Sequence, residues 1–272
     1  MIAFDLTEPK YDAVRFSNFG EQHYIDYVFE TVKNASPEDI LKWTDYVVDI
    51  GARDGIDQSN TCQLFRKRMP GLCLEYDKGF FFQLAYNFRI LDAEMACVGV
   101  TPENVVGLLD SFNVPEQPLF LNIDIDGYDW FVLERILSAY RPLLICTEVN
   151  LAIPPPVKFS ALYSNDFKPW TKGHFYGQSI SKVNELTEMY DYRLVNLHYN
   201  NAFLMPVEIC PFASLTPMEA FRDGYWHAPK RLERFPWNEE MDYIVQMTPQ
   251  DAVIELTRYF NSLGRSDFEC YL

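Results

Sequence analysis

Apolar runs of strand length recur through the first half of the chain: YVVDI (46–50), LCLEY (72–76), MACVGV (95–100), LFLNIDI (119–125) and LLICTEV (143–149). Their apolar positions are continuous rather than alternating. That is the mark of strands buried on both faces, as in a parallel sheet covered by helices. The spacers between the runs suit crossover helices. Hydroxyl-proline pairs mark helix starts at Ser36-Pro37, Thr101-Pro102, Thr216-Pro217 and Thr248-Pro249, with Gly264 as the stop of the last. A further helix is expected over SISKVNELTEMY (179–190). YRLVNL and NAFLMPV follow, separated by little more than Asn200, and predict an antiparallel hairpin.

The fold class expected from this order is α/β. It is a doubly wound, Rossmann-like sheet, mostly parallel, with an antiparallel hairpin at one edge and helical flanks. Residues 1–45 form an N-terminal flank, 46–206 the ligand-binding domain and 207–272 a C-terminal extension. Residues 151–177 break the pattern with a proline run (154–156) and many rings. They predict a long irregular connection, a lid or an acceptor loop. Phe159, Tyr163, Phe167, Trp170, Phe175 and Tyr176 would wall an acceptor pocket there, or simply pack.

Composition narrows the partners. A chain of 272 residues that is 48% hydrophobic can bury a full core. Its net charge of −16 argues against nucleic acid and anionic membranes. The N-terminus does not read as a signal peptide, and no window reaches the length of a membrane span. The six cysteines form no CxxC pair, which fits reduced thiols in a cytoplasmic protein.

The tip of the first strand carries the candidate chemistry. Asp49 is followed by Gly51, Arg53, Asp54 and Gly55. Gly51 would let a ligand approach the backbone, and Gly55 would permit the turn into the next helix. A plain turn between strand and helix explains the glycines as well. The second strand adds Glu75, 75 − 55 = 20 residues beyond the last glycine. That is the spacing at which a carboxylate meets ribose hydroxyls. The pattern is not GxGxxG, so a dinucleotide is disfavoured. A nucleoside without phosphates fits better, with S-adenosyl-L-methionine the obvious case. Asp49 and Asp54 suit its cationic groups.

VVDIGARDGIDQSNTCQLF with LCLEYD resembles the first two motifs of the FkbM-like S-adenosylmethionine-dependent methyltransferases. FLNIDIDGYDWFVLERIL and RPLLICTEVN resemble that group's next block, and YGQSISKVNELTEMYDYRLVNLHYNNAFLM its closing helix and hairpin. The resemblance covers roughly residues 45–206. It implies that Asp49, Gly51 and Gly55 line the methionine and ribose part of the cofactor and that Glu75 takes the ribose hydroxyls. Ala96 and Cys97 would flank the adenine, and Tyr76 or Asp77 would touch the nucleoside. Arg53 would pair with Asp54 or reach the cofactor carboxylate.

Asp124, Asp126 and Asp129 lie in NIDIDGYD and Glu148 in CTEVN. Asp124 and Glu148 should sit side by side on neighbouring strands, with Asn150 beside them. Such oxygen ligands suit Mg²⁺ or another divalent cation that lowers the pKa of a substrate hydroxyl. Without metal, one of the two acids serves as general base. Alternatively the acids cap a helix or pair with Arg135 or Arg141. Asp129 opens the next helix, where an acid is locally favourable. His174, between the aromatic loop and a helix, is a candidate base or ligand, or a surface histidine.

The expected activity is O-methylation of a sugar or natural-product hydroxyl, the acceptor being a small molecule, a glycan or a peptide. N-methylation of a peptide or amide is a competing reading. So is a glycosyltransferase built on the DxD of Asp124 and Asp126, and so is a non-catalytic module of the same fold. The flanks would serve a homodimer contact or cover the pocket.

Overall fold

The computed structural model describes residues 16–164, 167 and 173–272. Trp170 of the aromatic segment and the first fifteen positions of the N-terminal flank lie outside the described residues.

The apolar runs become five parallel strands: β1 (Thr44–Ile50), β2 (Gly71–Glu75), β3 (Ala93–Cys97), β4 (Pro118–Ile123) and β5 (Leu144–Glu148). Strand β6 (Lys158–Ala161) belongs to a second sheet. Strands β7 (Tyr192–His198) and β8 (Asn201–Pro206) form the hairpin, with β8 antiparallel to β5. The seven-stranded sheet has the order β3-β2-β1-β4-β5-β8-β7. From β1 the chain winds outward first to one side and then to the other. The crevice where that winding reverses lies at the carboxyl ends of β1 and β4, the place where such sheets bind ligands.

Helices cover both faces. On one side, α1 (Glu21–Ala35), α2 (Cys62–Arg66) and α3 (Lys78–Phe88) place Ile25, Val28, Phe65 and Phe88 against Val47, Cys73, Phe120 and Cys146. On the other, α4 (Val105–Ser111), α5 (Asp129–Leu137) and α6 (Ile180–Met189) place Leu109, Val132, Leu133 and Val183 against Val48, Leu72, Leu121 and Ile145. Burial of each such side chain contributes about 1.5–3 kcal/mol. With both faces covered, β2 and β4 are buried at every position, which is why their sequences do not alternate.

The C-terminal residues add α7 (Pro217–Phe221), a π-helical turn (Arg222–Trp226), α8 (Arg231–Arg234), α9 (Pro249–Ser262) and β9 (Phe268–Tyr271). Strand β9 pairs with β6, so the segment after Asn150 is stitched to the end of the chain. Phe159, Phe175, Leu256 and Phe260 fill a third core between them. The irregular connection expected over 151–177 therefore contains a strand. Four residues whose partner lies about a hundred positions away leave no periodic signal.

The hydroxyl-proline starts divide. Thr216 accepts from the Glu219 amide in a full capping box, Thr248 caps α9, and Gly264 at φ +76° ends it. Ser36-Pro37 starts no α-helix. Ser36 instead closes α1, donating its amide to the Val32 carbonyl, and only a 3₁₀ turn (Asp39–Lys42) fits before β1. At Thr101-Pro102 a turn intervenes and α4 begins at Val105. No helix among the described residues is long and apolar enough to cross a membrane. All six cysteines are free.

Candidate active site

The first loop is shaped by two glycines. Gly51 has φ +88°, and a Cβ there would lie 1.8 Å from the Asp124 carbonyl oxygen. Only glycine lets the β1 tip pass so close to β4. Gly55, at φ +76°, abuts Leu84 and Phe88 of α3. The turn is closed by Asp54, whose Oδ1 accepts the amides of Ile56 and Asp57. Arg53 donates to Gln58 Oε1 and lies 3.7 Å from Asp57, so its charge is not spent on Asp54.

Glu75 is buried at the β2 tip. Its two oxygens accept the backbone amides of Arg53 at 2.7 Å and Asp77 at 2.6 Å. These bonds fix the carboxylate across the loop from Gly51. Each oxygen keeps a second lone pair for a ligand hydroxyl. Beside it, the ring of Tyr76 is 68% exposed, and Cys97 at the end of β3 is exposed as well, with Ala96 half-buried. A large ring left in water next to an open strand tip can serve as a platform for a flat ligand.

Asp49 faces the helices rather than the crevice loop. Its Oδ2 accepts from the Thr61 hydroxyl at 2.5 Å and its Oδ1 from Asn122 Nδ2 at 2.9 Å. Burial raises its pKa to about 6, against the pull of these two donors. The polar line continues through Asn60, Cys146 and Asn201 to Glu21, at the start of α1. It ties the β1 tip to the N-terminal helix beneath the site.

Asp124, Asp126 and Glu148 offer oxygens that all lie within 4.8 Å of one another. Among the described residues this is the one group of three acids, histidines or cysteines so arranged. Asp124 and Glu148 are half-buried and Asp126 is exposed, at a left-handed φ of +52°. The Asp124 and Glu148 carboxyls lie within 4.8 Å of each other. Burial, and then the charge of Asp126, holds the Asp124 carboxyl well above its ordinary range. Burial, and then Asp124, does the same to Glu148, and Asn200 Nδ2 at 2.8 Å works against it. Although Asp126 is exposed as a whole residue, desolvation of its carboxyl in the crowded loop, and then the charge of Asp129, raises it to about 6. Crowded carboxylates cannot all ionise, so the group holds a proton near neutrality.

The remaining predicted site residues have other attachments. Asp129 accepts the Ile125 and Gly127 amides and shapes the loop that carries Asp126. Asn150 donates to the carbonyls of His174 and Tyr176, and its oxygen accepts the Ala152 amide. It braces the segment that carries His174 and Tyr176, and its oxygen is engaged by the Ala152 amide. His174 is buried and its Nε2 lies 2.8 Å from Glu240 Oε1, so its ring faces the third core. Tyr176 is buried within the electrostatic reach of the acids. Burial, and then Glu148, Asp126 and Asp124, keeps its phenol well above the usual range.

Sequence reasoning missed Asn122 and Asn200, which hold Asp49 and Glu148. Asn122 left a signal: a polar side chain inside a wholly buried strand must have a partner. Asn200 left none, because an Asn in a hairpin turn is ordinary. An apolar pocket of about 260 Å³ lies elsewhere, between Pro154–Pro156, Phe221, Trp226 and Ile244. No carboxylate lines it.

No protein-family model matches the chain, and no curated protein matches it. Among solved structures, it is similar to an S-adenosylmethionine-dependent methyltransferase from Clostridium acetobutylicum ATCC 824. The identity is 8%, the match covers 72% of this chain and 93% of that one, and the TM-score is 0.40. It is also similar to DesVI of Streptomyces venezuelae, at 8% identity over 68% and 92% of the two chains, with TM-score 0.40. A third is the bifunctional kinase-methyltransferase WbdD, at 15% identity over 74% of this chain and 42% of that one, with TM-score 0.41. Likeness at this level assigns no reaction to the chain.

Proposed function

We propose that the chain is an S-adenosylmethionine-dependent methyltransferase that acts on a hydroxyl acceptor. The observation that carries the proposal is one crevice with two functions at its rim. The Gly51–Gly55 turn and Glu75 stand on one side, and the Asp124, Asp126 and Glu148 carboxylates on the other.

Glu75 would hold the ribose hydroxyls of the cofactor, and Tyr76, Ala96 and Cys97 would flank its adenine. When bound, the cofactor supplies an electrophilic methyl group. The residues of the chain do the rest. Holding the acceptor oxygen in line removes much of the barrier. The Asp124–Glu148 pair accepts the hydroxyl proton. Carboxyls raised towards neutrality are better bases for this than ordinary ones. Three carboxylates in one small space also fit a hard divalent cation, which would be held by Asp124, Asp126 and Glu148 and would acidify the acceptor hydroxyl. The closeness of Asp124 and Glu148, both held above the ordinary carboxyl range, favours a second reading, a metal-free base formed by the same pair.

Calorimetry with S-adenosylhomocysteine is the direct test. The wild type is expected to bind, and Glu75→Gln to bind about 10–100-fold more weakly, the effect of a lost charge-assisted pair of hydrogen bonds. Absence of binding to the wild type would refute the proposal.

A further inference from the structure

Arg231 and Arg234 lie three positions apart on α8, yet their guanidinium groups meet different surroundings. Arg231 is bidentate to Asp242 at 2.6 and 2.7 Å. Arg234 makes no ion pair and no side-chain hydrogen bond among the described residues, and its Nη1 is shielded from solvent without a partner. Its guanidinium lies 4.3 Å from the ring centre of Tyr199 and 5.0 Å from that of Phe19. Phe235 packs on both rings.

The chain has 39 acids for 23 basic residues, so a carboxylate partner would be easy to supply. A shielded, unpaired N–H on a cation is costly and calls for a missing partner. Aromatic contacts occupy the faces of a guanidinium and leave its in-plane donors free. That fork matches a carboxylate or a phosphate. The position also matters. Tyr199 is followed by Asn200, which holds Glu148, and the Phe19 carbonyl lies 3.0 Å from His198 Nε2. The aromatic setting of Arg234 thus stands on the same hairpin turn that braces the catalytic carboxylates.

We infer that Arg234 is an anion-binding residue at the acceptor side of the crevice, selecting acceptors that carry a carboxylate or phosphate group. The inference rests on the methyltransferase proposal for the word acceptor, but not for the anion site itself. In a protein of charge −16, an anionic acceptor needs such a local cation to offset the general repulsion.

The test uses the full chain and two simple probes, inorganic phosphate and acetate, titrated at constant ionic strength. Phosphate stabilises proteins generally, so the difference between wild type and Arg234→Met isolates the site. Near saturation, wild type is expected to gain about 3–5 °C in Tm over the variant. A larger response to phosphate than to acetate assigns a phosphorylated acceptor, and the reverse a carboxylate. Equal responses in wild type and variant would overturn the inference. Should Arg234→Met fail to fold, crystals of the wild type soaked in selenate decide. Anomalous density within hydrogen-bonding distance of the guanidinium supports the site, and its absence there overturns it. S-adenosylhomocysteine affinity separates the two proposals. It should be unchanged in Arg234→Met, and a tenfold loss would give the arginine to the cofactor carboxylate instead. If the wild type binds phosphate through Arg234 but not S-adenosylhomocysteine, only the methyltransferase proposal falls.

Discussion

At the scale of single residues, the site depends on how closely two strand tips approach. Gly51→Ala should therefore be severe. Its Cβ would have to displace the Asp124 carbonyl, at 1.8 Å, and the backbone would keep a φ of +88° that alanine avoids. The expected cost is at least about 3 kcal/mol, read as a fall in the urea midpoint, with Asp124 pushed out of register with Glu148. An alanine variant of wild-type stability would show that the tip has room to move. Residues of this kind are legible in a sequence because only one amino acid meets the backbone requirement. Glu75 and Glu148 were legible for a related reason, as acids at the ends of apolar runs. Asn122 and Asn200 were harder, since their meaning lies in the side chain they hold, Asp49 in one case and Glu148 in the other. Arg234 was illegible: nothing in RLERF distinguishes a paired arginine from an unpaired one.

At the scale of elements, continuous apolar runs located β1 to β5 to within a few residues, because β2, β4, most of β5 and the second half of β1 are buried on both faces; β3, at the sheet edge, is only partly covered. The pair β6–β9 escaped, and with it the third core. Phe268 on β9 lies 6.0 Å from the ring centre of Phe159 on β6 and 5.4 Å from that of Phe260 on α9. It is only partly buried, so Phe268→Ala should cost less than a full core aromatic, about 2 kcal/mol. The loss should be local. Hydrogen exchange is expected to quicken at Phe159, Ala161 and Leu162, whose amides bond within this layer or beside it, and to stay slow in β1 and β4. Uniform acceleration across both sheets would mean that the two cores unfold as one unit. The false start at Ser36-Pro37 has a related cause. The cap signal was real, but β1 begins eight residues after Ser36, too soon for a helix and its exit turn.

For the whole molecule, the buried acids set the dependence of stability on pH. Asp49 and Asp126 titrate at about 6, and Asp124, Asp129 and Glu148 are also raised, in every case chiefly by burial. An acid whose folded pKa exceeds its unfolded value binds its proton more tightly in the native state. Its contribution is therefore most favourable below the unfolded value, near pH 4, and is lost as pH rises through the folded value. For Asp49 the loss amounts to at most about 3 kcal/mol, spread between about pH 4 and 6. Glu185 and Glu208, lowered by hydrogen bonds from Lys182 and Arg141 against a burial penalty, act in the opposite sense and lose their contribution below about pH 4. In metal-free buffer, Tm should thus peak in mildly acidic solution and fall towards pH 7. A divalent cation held by Asp124, Asp126 and Glu148 would compete with those protons, so its stabilising effect should be near zero at about pH 5 and grow to several °C above pH 7. Thermal scans with and without Mn²⁺ across this range decide between the two readings of the site. A fall that Mn²⁺ leaves untouched assigns the carboxylates to metal-free base chemistry. A Tm that rises steadily from pH 4 to 7 without metal would mean that these acids are ionised at no cost, and the raised pKa values on which both readings draw would be lost.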